Sequence, residues 1–243
     1  MKALSIMQPW TNLILTGHKT IEVRKRRTSH RGDLLLCSSK SPGFNKEGMD
    51  YFEELIGMPY LFGHALCVAR LIDSRPMKKG DEGAAFQEEI DPKMCGWVLE
   101  AIRPVVPFEV KGQLGLYEID DSLINASPYA LWDCVRLRDT VDESELDFAI
   151  KGWYGRVSSI QFRDEDGWVY GITPDSISIQ GIPLGCIEAR VEEGDSWFEI
   201  WVKADELDRA EPRDTADEAA EAIQQIEREH PELFPQEEGE QDA

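Results

Sequence analysis

Residues 4–40, LSIMQPWTNLILTGHKTIEVRKRRTSHRGDLLLCSSK, hold the features that decide how the chain folds. Pro9 suits a first helical turn, Leu13 and Ile14 give an apolar face, and Gly17 stands where a left-handed C-terminal cap belongs, so a short helix is predicted over Pro9 to Thr16. Beyond the cap, Thr20–Val23 and Asp33–Cys37 read as strands joined by the basic RKRRTSHRG segment. In an extended chain Lys19, Ile21 and Val23 alternate with Thr20, Glu22 and Arg24, which puts Glu22 and Arg24 on one side, close enough to pair. Lys19 falls near the helix end, where a cation is favoured. Within residues 18–31 the cations Lys19, Arg24, Lys25, Arg26, Arg27 and Arg31 meet a single acid, Glu22, a local density of positive charge that supports phosphate contacts.

Working outward, KEGMDYFEELI (46–56) has Met49, Phe52 and Ile56 at helical spacing. His64–Ile72, Gly96–Leu99 and Leu114–Ile119 are β-rich and bounded by Gly or Pro. Short strands with two interposed helices predict a small α+β, mainly β, barrel. The pattern weakens between Asp121 and Asp147, where Tyr129, Leu131 and Trp132 mark a packed turn. From Phe148 the β signal returns: GWYGRVSSIQF and GWVYGI flank RDED, with a hairpin cue at Asp166–Gly167. CIEARV and WFEIWVKA flank EEGDS in the same manner, so a second hairpin and a small SH3-like barrel or β-ribbon are expected there. DTADEAAEAIQQIEREH (214–230) is rich in helix formers, with Ala222, Ile223 and Ile226 as an apolar stripe, and the acidic tail QEEGEQDA is expected to be disordered.

The formal charge of −21 is unevenly placed: residues 1–125 carry 16 Lys and Arg against 17 Asp and Glu, while the remainder carries 10 against 30. The first part is therefore compatible with a polyanionic ligand and the second repels one. Five scattered cysteines, Cys37, Cys67, Cys95, Cys134 and Cys186, form no C-x-x-C pair and read as reduced core thiols of a cytoplasmic protein. The N-terminus lacks a leader pattern, and no apolar run approaches the length of a membrane span, so no membrane partner is expected. No cofactor or metal site is expected either. DEDG (164–167) lacks calcium-loop spacing and reads as a turn, there is no phosphate-binding glycine loop, and His18, His30, His64 and His230 are far apart.

The stretch from Leu4 to Lys40 resembles the ASCH domain, a relative of the PUA RNA-binding fold, and is similar to the form found in activating signal cointegrator proteins and in bacterial and phage homologues. Ser5, Gln8-Pro9-Trp10, Gly17-x-Lys19, Glu22-x-Arg24, Thr28 and Arg31-Gly32 carry the likeness. GHALCVARLIDSRP (63–76) is similar to the family's central strand and RPVVPFEVKGQLGLYEI (103–119) to its closing strands. The resemblance implies a PUA-like β-barrel over residues 1–125. A connector (126–147), a small β-rich domain (148–205) and an acidic helix with tail (206–243) would follow.

It also implies a cleft between the first helix and the barrel that holds RNA or another nucleic-acid ligand, lined by Gln8, Trp10, Gly17, Lys19, Thr20, Glu22, Arg24, Arg26, Arg27, Thr28, Arg31 and Lys111. Arg and Lys supply phosphate contacts, Glu22 accepts from an exocyclic amine, and Trp10 stacks a base if it faces the cleft. Plainer readings stand beside these: Trp10 as a core residue, Glu22–Arg24 as an ion pair that only fixes the strand, and RKRR as a solvated turn. A bacterial branch of the superfamily removes the acetyl group of N4-acetylcytidine with a lysine, a threonine three places later and a distal glutamate. Here Lys19 and Thr20 are present, but Glu22 occupies the threonine's place, so a hydroxyl nucleophile is missing from it. If the chain is an enzyme, Lys19, Glu22 and Thr20 are the catalytic candidates for hydrolysis of a modified nucleoside. A third alternative is an adaptor whose acidic C-terminal half docks a basic protein.

Overall fold

The computed structural model describes residues 1–144 and 146–234. The chain divides into two units, Met1–Leu131 and Trp132–Ala243. The expected disordered tail, 236–243, lies outside the described residues.

In the first unit the strands are β1 (Lys2–Gln8), β2 (Ile21–Arg24), β3 (Gly32–Pro42), β4 (His64–Pro76), β5 (Cys95–Glu109) and β6 (Leu116–Glu118). Helices α1 (Trp10–Leu15), α2 (Lys46–Ile56) and α3 (Glu82–Ala85) interrupt them. The first helix starts after a cis Gln8–Pro9 bond and ends before Gly17, whose φ of +79° is the left-handed conformation that the cap requires. All six strands form one sheet in the order β2-β5-β4-β3-β1-β6, with β1 parallel to β3 and the other pairs antiparallel.

Both faces of this sheet are buried. Leu34 and Leu36 of β3 pack with Leu4, Ile6, Ile14, Cys67, Ala69, Leu71, Trp97 and Leu99, whereas Leu35 and Cys37 pack on the other side with Ala3, Ala65, Val68, Val105 and Tyr117. A continuous apolar run, LLLC at 34–37, is what a strand covered on both faces needs. The register of β4 against β5 shifts three times, and Ala101 takes φ +48° within β5. Such bulges bend a strand and increase its twist. At Gly96 a side chain would meet Met77 Sδ at 2.7 Å and Ile21 Cγ2 at 2.8 Å, so only glycine lets β5 approach β2 there.

The expected closed barrel is corrected. The sheet is open, with β2 at one end of the order and β6 at the other. Four residues of β2 pair only with β5, and the seam between β2 and β1 is crossed by a side chain rather than a ladder: Arg24 Nη2 donates to the carbonyl of Ser5 at 3.2 Å.

The second unit is a five-stranded antiparallel sheet in the order β10-β9-β8-β7-β11, from β7 (Cys134–Leu137), β8 (Tyr154–Arg163), β9 (Gly167–Pro174), β10 (Ile200–Lys203) and β11 (Leu207–Arg209). Its order too is open, with β10 and β11 at the ends, rather than a closed barrel. Gly167, at φ +73°, closes the β8–β9 hairpin at the predicted place. The second predicted hairpin is wrong in its first half. Residues Leu184–Glu193 form helix α4, because Leu184, Ile187 and Val191 recur at helical spacing and Gly194, at φ +78°, caps the end.

The residues after 205 contribute to the same sheet and core as those before them. Strand β11 pairs with β7, which lies inside the expected connector. Helix α5 (Ala216–Glu229) places Ala222, Ile223 and Ile226 in one core with Ile179, Ile182, Ile187 and Trp197. Its start is fixed by a capping box of Thr215 and Glu218, and by Asp214, which pairs with Arg156 at 2.6 Å and accepts from the Ser176 amide at 2.6 Å. The acidic helix is therefore built into the second unit.

Because both faces of β3 are buried, Leu35→Ala and Leu36→Ala should each destabilise the first unit by about 2–5 kcal/mol. Urea unfolding monitored by circular dichroism measures this. A sheet with one solvated face would tolerate one of the two.

Candidate nucleic-acid interface at the seam of the first unit

The seam between β1 and β2 brings together Lys19, Glu22 and Arg24, with Trp10 against the lysine. Strict alternation would separate Lys19 from Glu22, but β2 begins only at Ile21. Lys19 sits in the corner after α1, where its amide donates to Leu13 O at 2.9 Å. From that corner its ammonium reaches back to Glu22 Oε2 at 3.7 Å and donates to the Ala85 carbonyl at 2.7 Å. Glu22 Oε1 in turn lies 3.1 Å from Arg24 Nε. The side chains of Lys19 and Glu22 are 3% and 9% exposed, and that of Arg24 is 31% exposed, so the row of charges runs from the interior to the surface.

This row is only partly satisfied. Arg24 Nε is buried without an aligned hydrogen-bond acceptor, despite its closeness to Glu22. Burial pushes the Glu22 carboxyl above its ordinary range, with Lys19 and Arg24 pulling the other way. Burial likewise lowers the Lys19 ammonium, and Glu22 opposes that shift. Water has been replaced by groups that do not fully compensate both charges.

An aromatic cluster covers the interior end. Lys19 Nζ lies 5.4 Å from the centroid of Trp10, and Phe44 and Phe52 pack on that indole at 5.5 and 5.9 Å. Trp10 is thus at once a packing residue and the cover of the lysine. Phe86, at φ +52°, touches Phe52. The backbone of α3 is held in place by Arg75, which binds Asp81 through two hydrogen bonds of 2.6 and 2.8 Å and thereby lowers the Asp81 carboxyl to about 2. The sequence reading missed Phe44, Phe52 and the Arg75–Asp81 pair. Their residue types are ordinary and only folding brings them to Lys19.

The remaining predicted residues divide into two groups. Gln8 is fully buried and bonded to Asn12 and Leu61, so it builds the α1 corner. Thr20 is tied through its backbone to Ala84 and Leu99, and Gly17 serves the helix cap.

Around the basic turn, Arg27 Nε donates to Ser74 O at 2.7 Å, the Thr28 amide donates to Ser74 Oγ, and Trp97 Nε1 donates to Arg26 O. Arg31 bonds Thr28 O and His30 O and meets Asp73 at 3.3 Å. Lys25 and Arg26 are exposed and have no carboxylate partner among the described residues. Lys111 is exposed beside Gly112, whose backbone passes against Ser5, the residue that receives Arg24.

The raised Glu22 group fixes a sign. The neutral carboxyl is favoured in the folded chain, so its contribution is full below the ordinary value of 4.5 and is lost as pH rises through the folded value. Relative to Glu22→Gln, the wild-type chain should therefore lose stability as pH rises above 4.5. Urea midpoints of both proteins across that range test this, and a difference that does not change with pH would contradict it.

Residues 4–109 match the family described as the ASCH domain, a span from β1 to the end of β5. No curated protein matches this sequence. Among solved structures, the ASCH protein from Zymomonas mobilis is 12% identical, with a TM-score of 0.36 over 50% of this chain and 88% of that one. A point mutant of the same protein is 13% identical, with a TM-score of 0.35 over 51% of this chain and 97% of that one. Neither likeness bears on the roles of individual residues here. The family match places the likeness to the ASCH domain within the first unit.

Proposed function

We propose that the ASCH unit binds RNA at the seam between β1 and β2, with a base or strand end at the Lys19–Glu22–Arg24 row and the backbone along Lys25, Arg26 and Lys111. The observation that carries this reading is the row of buried charges ending in an unaligned Arg24 Nε. A half-satisfied polar row costs stability, and a ligand that supplies an acceptor to Arg24 Nε would complete it. A nucleobase edge carries such an acceptor. The free cations of Lys25 and Arg26 next to the row would take phosphates, whereas Arg27 and Arg31 are held by Ser74 and Asp73.

The same shifts in proton affinity support a second reading, hydrolysis of a modified nucleoside, because a lowered lysine beside a raised glutamate is suited to proton transfer. Against it, Glu22 stands where a hydroxyl nucleophile would be needed, and Thr20 is held by its backbone to Ala84 and Leu99.

Titration of the full chain with labelled single-stranded RNA, tRNA and duplex DNA at several salt concentrations tests the binding reading. Replacing both Lys25 and Arg26 by Ala should weaken binding to every sequence and reduce the salt slope by about one unit per lost phosphate contact. Lys19→Ala should alter the preference among ligands. Unchanged affinity and slope in the double variant would remove the basic turn from the interface.

For the second reading, chromatography of N4-acetylcytidine incubated with the protein should show no cytidine released at a rate comparable with a dedicated amidohydrolase. Robust turnover that disappears in Lys19→Ala would reverse the preference for a binding module.

A further inference from the structure

The second unit carries a groove of about 830 Å³ beside strand β10. Six carboxylate residues, among them Glu193, Asp195, Glu199 and Glu206, line it together with three basic ones. Trp201 contributes an indole that is 38% exposed. The guanidinium of Arg163 lies 5.5 Å over that ring, so the aromatic face already accepts a cation. Glu199 Oε1 accepts from the hydroxyls of Ser158 and Ser159 at 2.7 and 2.8 Å, which orients the carboxylate without neutralising it. No cationic side chain pairs with Glu199 among the described residues.

A second, independent feature is the backbone. Strand β10 is at the edge of its sheet. The Lys203 amide donates to Glu206 Oε2 at 2.6 Å and so points away from β9. In an antiparallel strand the N–H and C=O of one residue point to the same side, and this side alternates along the chain. Trp201 therefore presents its N–H and C=O on the same outer edge as Lys203.

We propose that this groove receives an extended basic peptide of a protein partner, which pairs with the outer edge of β10 and seats an Arg or Lys side chain on Trp201 among the carboxylates. Main-chain bonds to an open strand edge give affinity, and pockets for alternate side chains give selectivity. The excess of carboxylates selects cationic side chains and repels phosphates. This site is separate from the RNA site proposed for the ASCH unit and stands or falls independently of it.

The test uses the full chain and a fluorescein-labelled peptide alternating valine and arginine, followed by anisotropy. The peptide should bind, with affinity about tenfold weaker for Trp201→Ala and partly retained in Trp201→Phe. A peptide N-methylated at alternate residues, which cannot extend the sheet, should bind markedly less, and a valine–glutamate peptide should not bind. The double variant Glu193→Gln and Asp195→Asn, both positions being exposed, should weaken binding and flatten its salt dependence. Circular dichroism of each variant separates loss of fold from loss of contact. No binding of the valine–arginine peptide would overturn the proposal. So would equal binding of the N-methylated peptide, or displacement of the peptide by spermine at equal charge as effectively as by unlabelled peptide, because either means that charge alone is recognised.

Discussion

The first unit depends on one constraint: a lysine, a glutamate and an arginine held in a row at the unladdered seam of a doubly buried sheet. Removing charges from water is costly unless their partners compensate, and here compensation is incomplete. Much of the surrounding structure serves to hold the row. The short α1 turns the chain so that Lys19 can face Glu22, Gly96 lets β5 come close to β2, and the Arg75–Asp81 pair fixes the segment whose carbonyl receives the ammonium. Trp10 and its aromatic neighbours then cover the lysine.

An open seam follows from the lengths and bends of the strands. Strand β2 is four residues long and β5 fifteen, so most of β5 runs past the end of its partner. The shifts in register along β4 and β5 curl the sheet, and Arg24 spans the gap that a backbone ladder would otherwise fill. A side chain at such a place can exchange its partner without breaking a strand pair, which supports the proposal that the seam is the recognition site.

Much of this was legible in the sequence. Pro9 and Gly17 bound α1, helix 46–56 is present as read, and the hairpin at Asp166–Gly167 forms where the dipeptide predicts it. The pairing of Glu22 with Arg24 follows from alternation, whereas Lys19 joins them through a corner that no strand period describes. Closure is not legible, because short alternating strands do not reveal whether the two end strands pair, and here they do not. CIEARV fits both a strand and a helix period because it is short, and the longer spacing from Leu184 to Val191 selects the helix. Charge dominates the composition of the acidic C-terminal stretch and hides the thin apolar stripe by which Ala222 and its neighbours join the core of the second unit.

Ultraviolet cross-linking of 4-thiouridine-containing single-stranded RNA to the full chain, with the linked peptides identified by mass spectrometry, tests the central claim most directly. Attachment should fall on residues from Trp10 to Arg26 and on the segment around Lys111, the two sides of the seam. Cross-links confined to other strands, with none at the seam, would contradict the account.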